Sequence, residues 1–457
     1  MKVAMIEKGY ILDRRILQEM ETLVAMGMEV VLFAEEGPCK DPISTRDSAT
    51  YEIKRFPTVR EHPMVTSCNA MFARLKKRGF PNTVALMIAA IRYPEYGYLK
   101  VSQMRLKVWK RFLALSVLKF FRAIFGDKSL YFDSRYWEQQ VEASIIKYAP
   151  NVIHVHDLPS LGIGVELKNK IGGKIKLVYD AHEIYPFQPF IEGRLKSELI
   201  KQEKKLIRDA DWLVVINDEQ ADFMRKEYQY NFKYSVLTNA TTYPRKFDKN
   251  TNYNLIREKL TIPEDSPIVI FQGGINKGRK IHLLMEGIQS SRVKPHLVLL
   301  SWSAEIEEFK SLASTLGIKD QVHFLPPVPW DEVLFWANSA DIGFMPYHPD
   351  DINTRISSPN KMYEFMLAGT PMIAHEGLVN VKKVLVGEGF GMVWDLSEGV
   401  DYGKAIDALW SDKNKYREIK NRIVNNREKF TWESLSKDFS KMYSQLRDES
   451  IEAKVAQ

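Results

Sequence analysis

Short, almost uninterrupted apolar runs recur along the chain, separated by longer stretches in which apolar positions take helical spacing. In the first half the runs are KVAMI (2–6), VVLFA (30–34), NVIHVH (151–156), KLVYD (176–180), WLVVI (212–216) and YSVLTN (234–239). In the second half they are PIVIF (267–271), HLVLL (296–300), VHFL (322–325), IGFMP (342–346), PMIA (371–374) and GMVW (391–394). Most are apolar on both faces, as parallel strands covered by helices are. Strand, helix, strand order of this kind predicts open α/β domains. The series occurs twice. The break falls at TTYPRKFDKNTNYN (241–254), which is polar and poor in aliphatics. The expected architecture is two Rossmann-like, doubly wound domains facing across a cleft, the first over 1–245 and the second over 246–429. Ligands of such sheets lie beyond the carboxyl ends of the strands, so the loops after the strands are where chemistry is expected.

One region breaks the alternation. Residues 62–131 hold 13 Lys or Arg against Glu95 and Asp127 alone, with aromatics interleaved, as in RLKVWKRFLALSVLKFFRAIF. Within it Leu106, Trp109, Leu113, Val117 and Phe120 approximate one helical face. Two readings stand: a helical insertion in the first domain with a solvated basic face, or an interfacial surface that docks on anionic lipid. No nucleic-acid recognition module accompanies the charge, so nucleic acid is not an expected partner.

Composition narrows the picture modestly. The 457 residues carry a net charge of +7, which favours an anionic partner. Cys39 and Cys68 are the two cysteines; they imply no disulfide framework, and a reducing compartment fits. MKVAMIEKGY reads as a strand rather than a signal peptide. The longest charge-free apolar stretch, GFPNTVALMIAAI, has 13 residues and contains a proline, against the roughly 20 that a spanning helix needs. The expected location is cytoplasmic, or peripheral on the inner face of a membrane.

The candidate chemistry lies after strands. FQGGINKGRKI follows the first strand of the second domain and leads into a helix. Gly273 and Gly274 permit a tight turn and close backbone approach, the helix start offers free amides, and Lys277 and Arg279 add charge; a diphosphate needs such a set. SSPNKMYEFMLAG (357–369) opens with serines that can cap a helix and with Pro359, suited to a first turn. Lys361 and Glu364, three apart, share a face. A plain helix would use them as a surface ion pair. At a cleft, the cation and helix start (Ser358, Asn360) face phosphate while the carboxylate accepts from a ribose diol. His154 and His156 share one face after a strand; His154 reads as structural, and His156 as a group that bonds a sugar hydroxyl or moves a proton. No third ligand with convincing spacing accompanies them, so no metal is expected. His182 and Glu183, in YDAHEIYP, end a further strand. Gly9 follows the first strand, and Arg14 or Arg15 offers charge to an anionic acceptor or to solvent.

Taken together, DRRILQEMETLVAMGMEVVLFA, NVIHVHDLPSLGIG, LVYDAHEIYP, DWLVVINDEQADFM, FQGGINKGRKI and SPNKMYEFMLAGTPMI resemble the GT-B glycosyltransferases of family 4, group 1 type. The resemblance runs over nearly the whole chain, with 62–131 the main poorly matched part. It implies a retaining, metal-independent transfer of sugar from a nucleotide-diphosphate-sugar, with no other cofactor. The family's basic residue after the glycine turn falls on Arg279, its ribose-holding glutamate on Glu364, its phosphate-facing helix start on Ser358 to Lys361, and its histidine near donor sugar and acceptor on His156. A backbone approach to the diphosphate is expected at Gly9, and the last helix, over 430–457, is expected to cross back to the first domain. Three departures stand out. Ile356 occupies the place of the first of two glutamates separated by seven residues. Gly274 replaces a common arginine. SWSAE (301–305) replaces a Gly-Asp-Gly turn. Asp350, Asp351 and Asn353 are the nearest polar substitutes for the missing glutamate.

The expected activity is therefore transfer to a glycan or lipid-linked acceptor in cell-surface polysaccharide or glycolipid biosynthesis. His156, Arg279 and Lys361 are the expected catalytic groups, with Gly9, Gly273, Gly274, Lys277, Ser358, Asn360 and Glu364 completing the donor site. Two other classes share the architecture: nucleotide-sugar 2-epimerases, and catalytically degenerate scaffold subunits of glycan assembly complexes.

Overall fold

A computed structural model describes residues 1–9, 12–36, 51–56, 77, 128–172 and 175–455. The basic region that drew attention in the sequence, 62–131, lies outside these residues apart from Lys77 and the start of the helix Lys128–Tyr148. No described helix is long and apolar enough to cross a membrane.

Both sheets follow from the apolar runs. The strands are β1 (Lys2–Glu7), β2 (Glu29–Glu35), β3 (Glu52–Phe56), β4 (Val152–His156), β5 (Lys176–Ala181), β6 (Trp212–Val215), β7 (Tyr234–Val236), β8 (Ile268–Gln272), β9 (His296–Leu300), β10 (Val322–Leu325), β11 (Ile342–Met345), β12 (Met372–His375) and β13 (Gly391–Trp394). The first sheet has the order β3-β2-β1-β4-β5-β6-β7 and the second β10-β9-β8-β11-β12-β13. Every pairing in the second sheet is parallel. By contacts the chain divides into two compact units, Met1–Val178 with Ser450–Gln457, and Tyr179–Glu449.

β3 is the strand that the apolar pattern does not announce. Its sequence, EIKRF, is charged at Glu52, Lys54 and Arg55, and among the described residues it pairs on one side alone, with β2, from Val31↔Glu52 to Glu35↔Phe56. A charged sheet edge resists pairing with another chain, so polarity there belongs to the strand's position.

In both sheets the strand order reverses once, between β1 and β4 in the first and between β8 and β11 in the second. Connections on the two sides of such a point run in opposite directions and leave a crevice at the strand ends. In the second sheet the helix Asn360–Ala368 is fixed beside this crevice by close packing on β11. A β-carbon on Gly343 would come within 2.6 Å of the Phe365 ring, so only glycine lets that ring lie on the strand. Behind the same helix, the segment 241–254, where the sequence places the break between the domains, is packed. Tyr243, Phe247 and Tyr253 stack in series and pack with Leu334, Phe335 and Leu367. That segment is poor in aliphatics because aromatics do the packing.

Candidate functional site

Two loops meet at the reversal point of the second sheet. The first leaves β8 at Gln272. Gly273 has φ of 107°, which residues with a side chain avoid, and its amide donates to Leu300 O at 3.0 Å. Asn276 Oδ1 accepts from Arg279 N at 3.0 Å, capping the single turn Lys277–Arg279 ahead of the helix Ile281–Ser290. This turn brings the Arg279 side chain back over the glycine. A β-carbon at Gly273 would lie 3.8 Å from Arg279 Nη1 and 3.7 Å from Lys361 Nζ. The absent side chain therefore opens a space bounded by both cations.

The second loop follows β11. Tyr347 projects its hydroxyl between the cations: Lys361 Nζ hydrogen-bonds to it, and Arg279 Nη1 lies 3.4 Å away. Lys361 is buried, with its ammonium 4.8 Å from the Phe271 ring centre and 4.6 Å from that of Tyr347. Arg279 stands over the Tyr347 ring at 5.6 Å. Burial, with repulsion from Arg279 added and attraction to Glu364 opposing, pulls the Lys361 ammonium down to about 7. Burial lowers the Arg279 pKa as well, but a guanidinium starts so high that it stays charged. Two desolvated cations side by side are unfavourable until an anion joins them.

Glu364 is buried one turn beyond Lys361, and its Oε2 accepts from Gln272 Nε2. The surface ion pair that a plain helix would make of Lys361 and Glu364 is thus not what forms; both side chains turn inward. The serines behave differently from the capping role read in the sequence. The helix Asn360–Ala368 has Pro359 at its N-cap, extended at φ −68° and ψ 137°, and no side chain caps it. Ser357 Oγ donates to Thr354 O at 2.9 Å, and the Ser358 hydroxyl accepts from Asn217 Nδ2 at 3.2 Å. With Pro359 at the cap, both serines are directed to neighbouring chain; Met362 N donates to Pro359 O at 2.9 Å, and no side chain caps the helix start ahead of it.

Three asparagines that the motifs did not single out hold this turn. Asn217 and Asn380 both donate to Ile356 O, at 2.7 and 2.8 Å, and Asn239 donates to Ser358 O at 3.0 Å. Asn217 and Asn239 follow β6 and β7, so they too stand at strand ends. Tyr347, Gln272, Asn217 and Asn239 carried no signal beyond lying at the ends of apolar runs, and Asn380, inside the helix Val379–Gly387, carried none.

The remaining expected residues are placed as follows. Lys277 points outward, its Nζ 2.7 Å from Glu308, and Asn360 is exposed at the helix start. At the reversal point of the first sheet, Gly9 follows β1, and Glu7 is the register partner of His156 at the end of β4. His156 is fully buried, its ring stacked on His154 with centres 4.7 Å apart. His154 Nε2 lies 3.6 Å from Glu19 Oε2, and Glu19 accepts from Arg15 at 3.0 Å. Arg15 is therefore buried against a carboxylate and is not a helix-surface charge. His182 Nε2 lies 3.3 Å from Asp180, and Glu183 accepts from Gln188.

Comparison with known proteins bears directly on this arrangement. Residues 252–427 match the model of glycosyl transferases group 1, and residues 64–241 match that of Glycosyltransferase Family 4. Between them the two take in most of the chain. This is a family 4, group 1 type glycosyltransferase of GT-B fold. D-inositol 3-phosphate glycosyltransferase of Streptomyces bingchenggensis is 22% identical over 256 residues, 53% of this chain and 54% of that protein. The chain thus spans about half the length of that curated relative. Among solved structures, sucrose-phosphate synthase from Thermosynechococcus elongatus superposes with a TM-score of 0.68 at 16% identity, covering 98% of this chain and 99% of that one. Anabaena HepE, solved with UDP, gives 0.65 at 14% identity, covering 97% and 100%. The Family 4 match begins inside the basic region, which the sequence motifs had left unmatched.

The glycosyltransferase's departures from the family pattern can be read on this geometry. Ile356, in the place of the first glutamate, buries its side chain and presents its carbonyl to two asparagine amides. The nearby polar residues are already engaged. Asp351 caps the helix Ile352–Ile356, accepting from Thr354 N at 2.9 Å. Asn353 exchanges two hydrogen bonds with the Ile184 backbone, at 2.8 and 3.0 Å. Asp350 is exposed and pairs with Lys280 at 3.0 Å.

Proposed function

We propose that this glycosyltransferase takes a hexosyl group from a nucleotide-diphosphate-sugar, with retention and without a metal, and passes it to a glycan or lipid-linked acceptor in cell-surface polysaccharide or glycolipid biosynthesis. One observation carries the reading: Arg279 and Lys361, desolvated and adjacent, border the space left by Gly273. A diphosphate there relieves their repulsion and receives fixed positive charge as its own negative charge grows in the transition state. The uncapped helix start at Asn360 adds backbone donors, and Glu364, steadied by Gln272, accepts from ribose hydroxyls. HepE, a neighbour in fold, was solved with UDP, which supports a nucleotide donor. The basic, aromatic composition of 62–131 supports an acceptor held at an anionic surface.

In the proposed reaction the glycosidic oxygen leaves on the β-phosphate while the acceptor hydroxyl attacks the same face of the sugar. The departing phosphate takes the acceptor proton. Arg279 and Lys361 act throughout on the leaving group, and His156 is assigned to the sugar or acceptor. The scaffold reading draws on Ile356 alone, and the pair of strained cations opposes it.

Two measurements test the donor site. Glu364→Gln is expected to weaken nucleoside diphosphate binding about ten- to a hundredfold, because a neutral amide replaces a charged acceptor. The deficit should shrink for a nucleotide lacking the ribose hydroxyls; calorimetric titration reads both. Unchanged affinity in a folded variant removes Glu364 from the site. Transfer is also expected to persist in EDTA, since side chains and helix ends neutralise the diphosphate. Complete loss, restored by manganese or magnesium, would contradict this.

A further inference from the structure

We propose that Trp302 is the stacking platform for the nucleobase of the donor, seated on the side-chain-free position Gly274; this rests on the nucleotide-sugar reading above. Trp302 lies two residues past the end of β9, in the loop SWSAE, and is 67% exposed. Its backbone is tied to the glycine loop: Ile275 N donates to Trp302 O at 3.3 Å, beside the bond from Gly273 N to Leu300 O. A β-carbon at Gly274 would lie 3.4 to 3.8 Å from Cζ2, Cε2 and Cη2 of the indole. The ring therefore rests against Gly274, where a long side chain would have to displace it. The loss of the common arginine at 274 and the loss of the Gly-Asp-Gly turn at 301–305 become one coupled change, an indole in place of a guanidinium.

The order of groups across the sheet identifies what the indole meets. The phosphates belong at Arg279 and Lys361, and the ribose at Glu364 and Gln272. Gln272 is the register partner of Leu300 on β9, so a step from the ribose toward β9 reaches Trp302. The donor sugar leaves the diphosphate at the opposite end from the ribose. On that step Gln272 Oε1 and Ser301 Oγ are buried and, among the described residues, have no hydrogen-bond partner. They stand ready for polar groups on a ligand. Every nucleobase has a π-face, so the platform adds affinity without choosing the base.

The test titrates UDP, GDP and inorganic pyrophosphate into wild type, Trp302→Ala, Trp302→Phe and Gly274→Leu. Trp302→Ala is expected to weaken binding of the preferred nucleoside diphosphate about five- to a hundredfold and to leave pyrophosphate within about twofold. Trp302→Phe should retain affinity within about threefold. Gly274→Leu, by pushing the ring aside, should reproduce the loss seen with alanine. Equal nucleotide affinity in wild type and Trp302→Ala overturns the platform while the donor site stands. An equal loss of pyrophosphate also overturns it, because the tryptophan would then merely shape the phosphate loop. If wild type binds neither nucleotide nor pyrophosphate, the nucleotide-sugar reading fails first and the platform with it.

Discussion

Replacing Lys361 by methionine is expected to lower transfer by about a hundred- to a thousandfold and at the same time to raise the melting temperature. The two effects share one cause. The ammonium is buried beside Arg279 with its pKa pulled down to about 7, so keeping it charged costs folding free energy that a ligand later recovers. Methionine fills the space between Phe271 and Tyr347 without that cost. The pH dependence follows. An unfolded lysine titrates near 10.4. Between about 7 and that value the unfolded chain binds more protons than the folded one, so stability rises with pH across this window. The destabilisation is fully present below about pH 7. Diphosphate binding has the opposite slope. It favours the charged ammonium, so affinity is full below about pH 7 and falls above it, by up to about tenfold per pH unit. Both slopes should vanish in Lys361→Met. Calorimetric titrations and melting curves from pH 6 to 9 read them, and a variant with an unaltered binding profile would exclude Lys361 from the diphosphate.

Arg279→Ala should lower transfer by a similar factor, yet with a different signature. Removing the guanidinium takes away one of the charges that depress Lys361 and admits water beside it. Lys361 then holds its proton to higher pH. Nucleotide affinity in this variant should be weaker at pH 7, while the pH at which it begins to fall should move upward. Arg279→Lys should restore the charge but not the planar fork, and recover transfer only in part. A break that stays near pH 7 in Arg279→Ala, with affinity intact, would mean that the two cations do not serve one ligand.

The sequence disclosed the strands because strands covered on both faces need apolar residues at every position; the twelve apolar runs all contain strands. It concealed β3 because an edge strand does not share that need. Arg279, Lys361 and Glu364 were legible because each lies in a short motif next to its own turn or helix. Tyr347 and Gln272 were not, since their roles depend on β8 and β11 being neighbours, with Ile342 opposite Val269, although the two strands are far apart in sequence. The same holds for Asn217, Asn239 and Asn380, whose amides meet a turn formed by residues 356–358. Trp302 was visible only as part of a departure, and it gained meaning when its ring was found on Gly274.

The enclosure of the helix Asn360–Ala368 has a consequence for how this protein can change over evolution. Every residue from Lys361 to Ala368 is buried. Phe365 lies on Gly343, and Leu367 packs into the aromatic group of Tyr243, Phe247 and Tyr253. Most substitutions along this helix open a cavity or force an overlap, so it offers little raw material for new specificity. The loops at the strand ends are under no such constraint, for Trp302 and Asp350 are exposed and Tyr347 is half-buried. Diversification in donor preference should therefore accumulate around the exposed positions 302 and 350, while the helix that carries Lys361 and Glu364 drifts slowly.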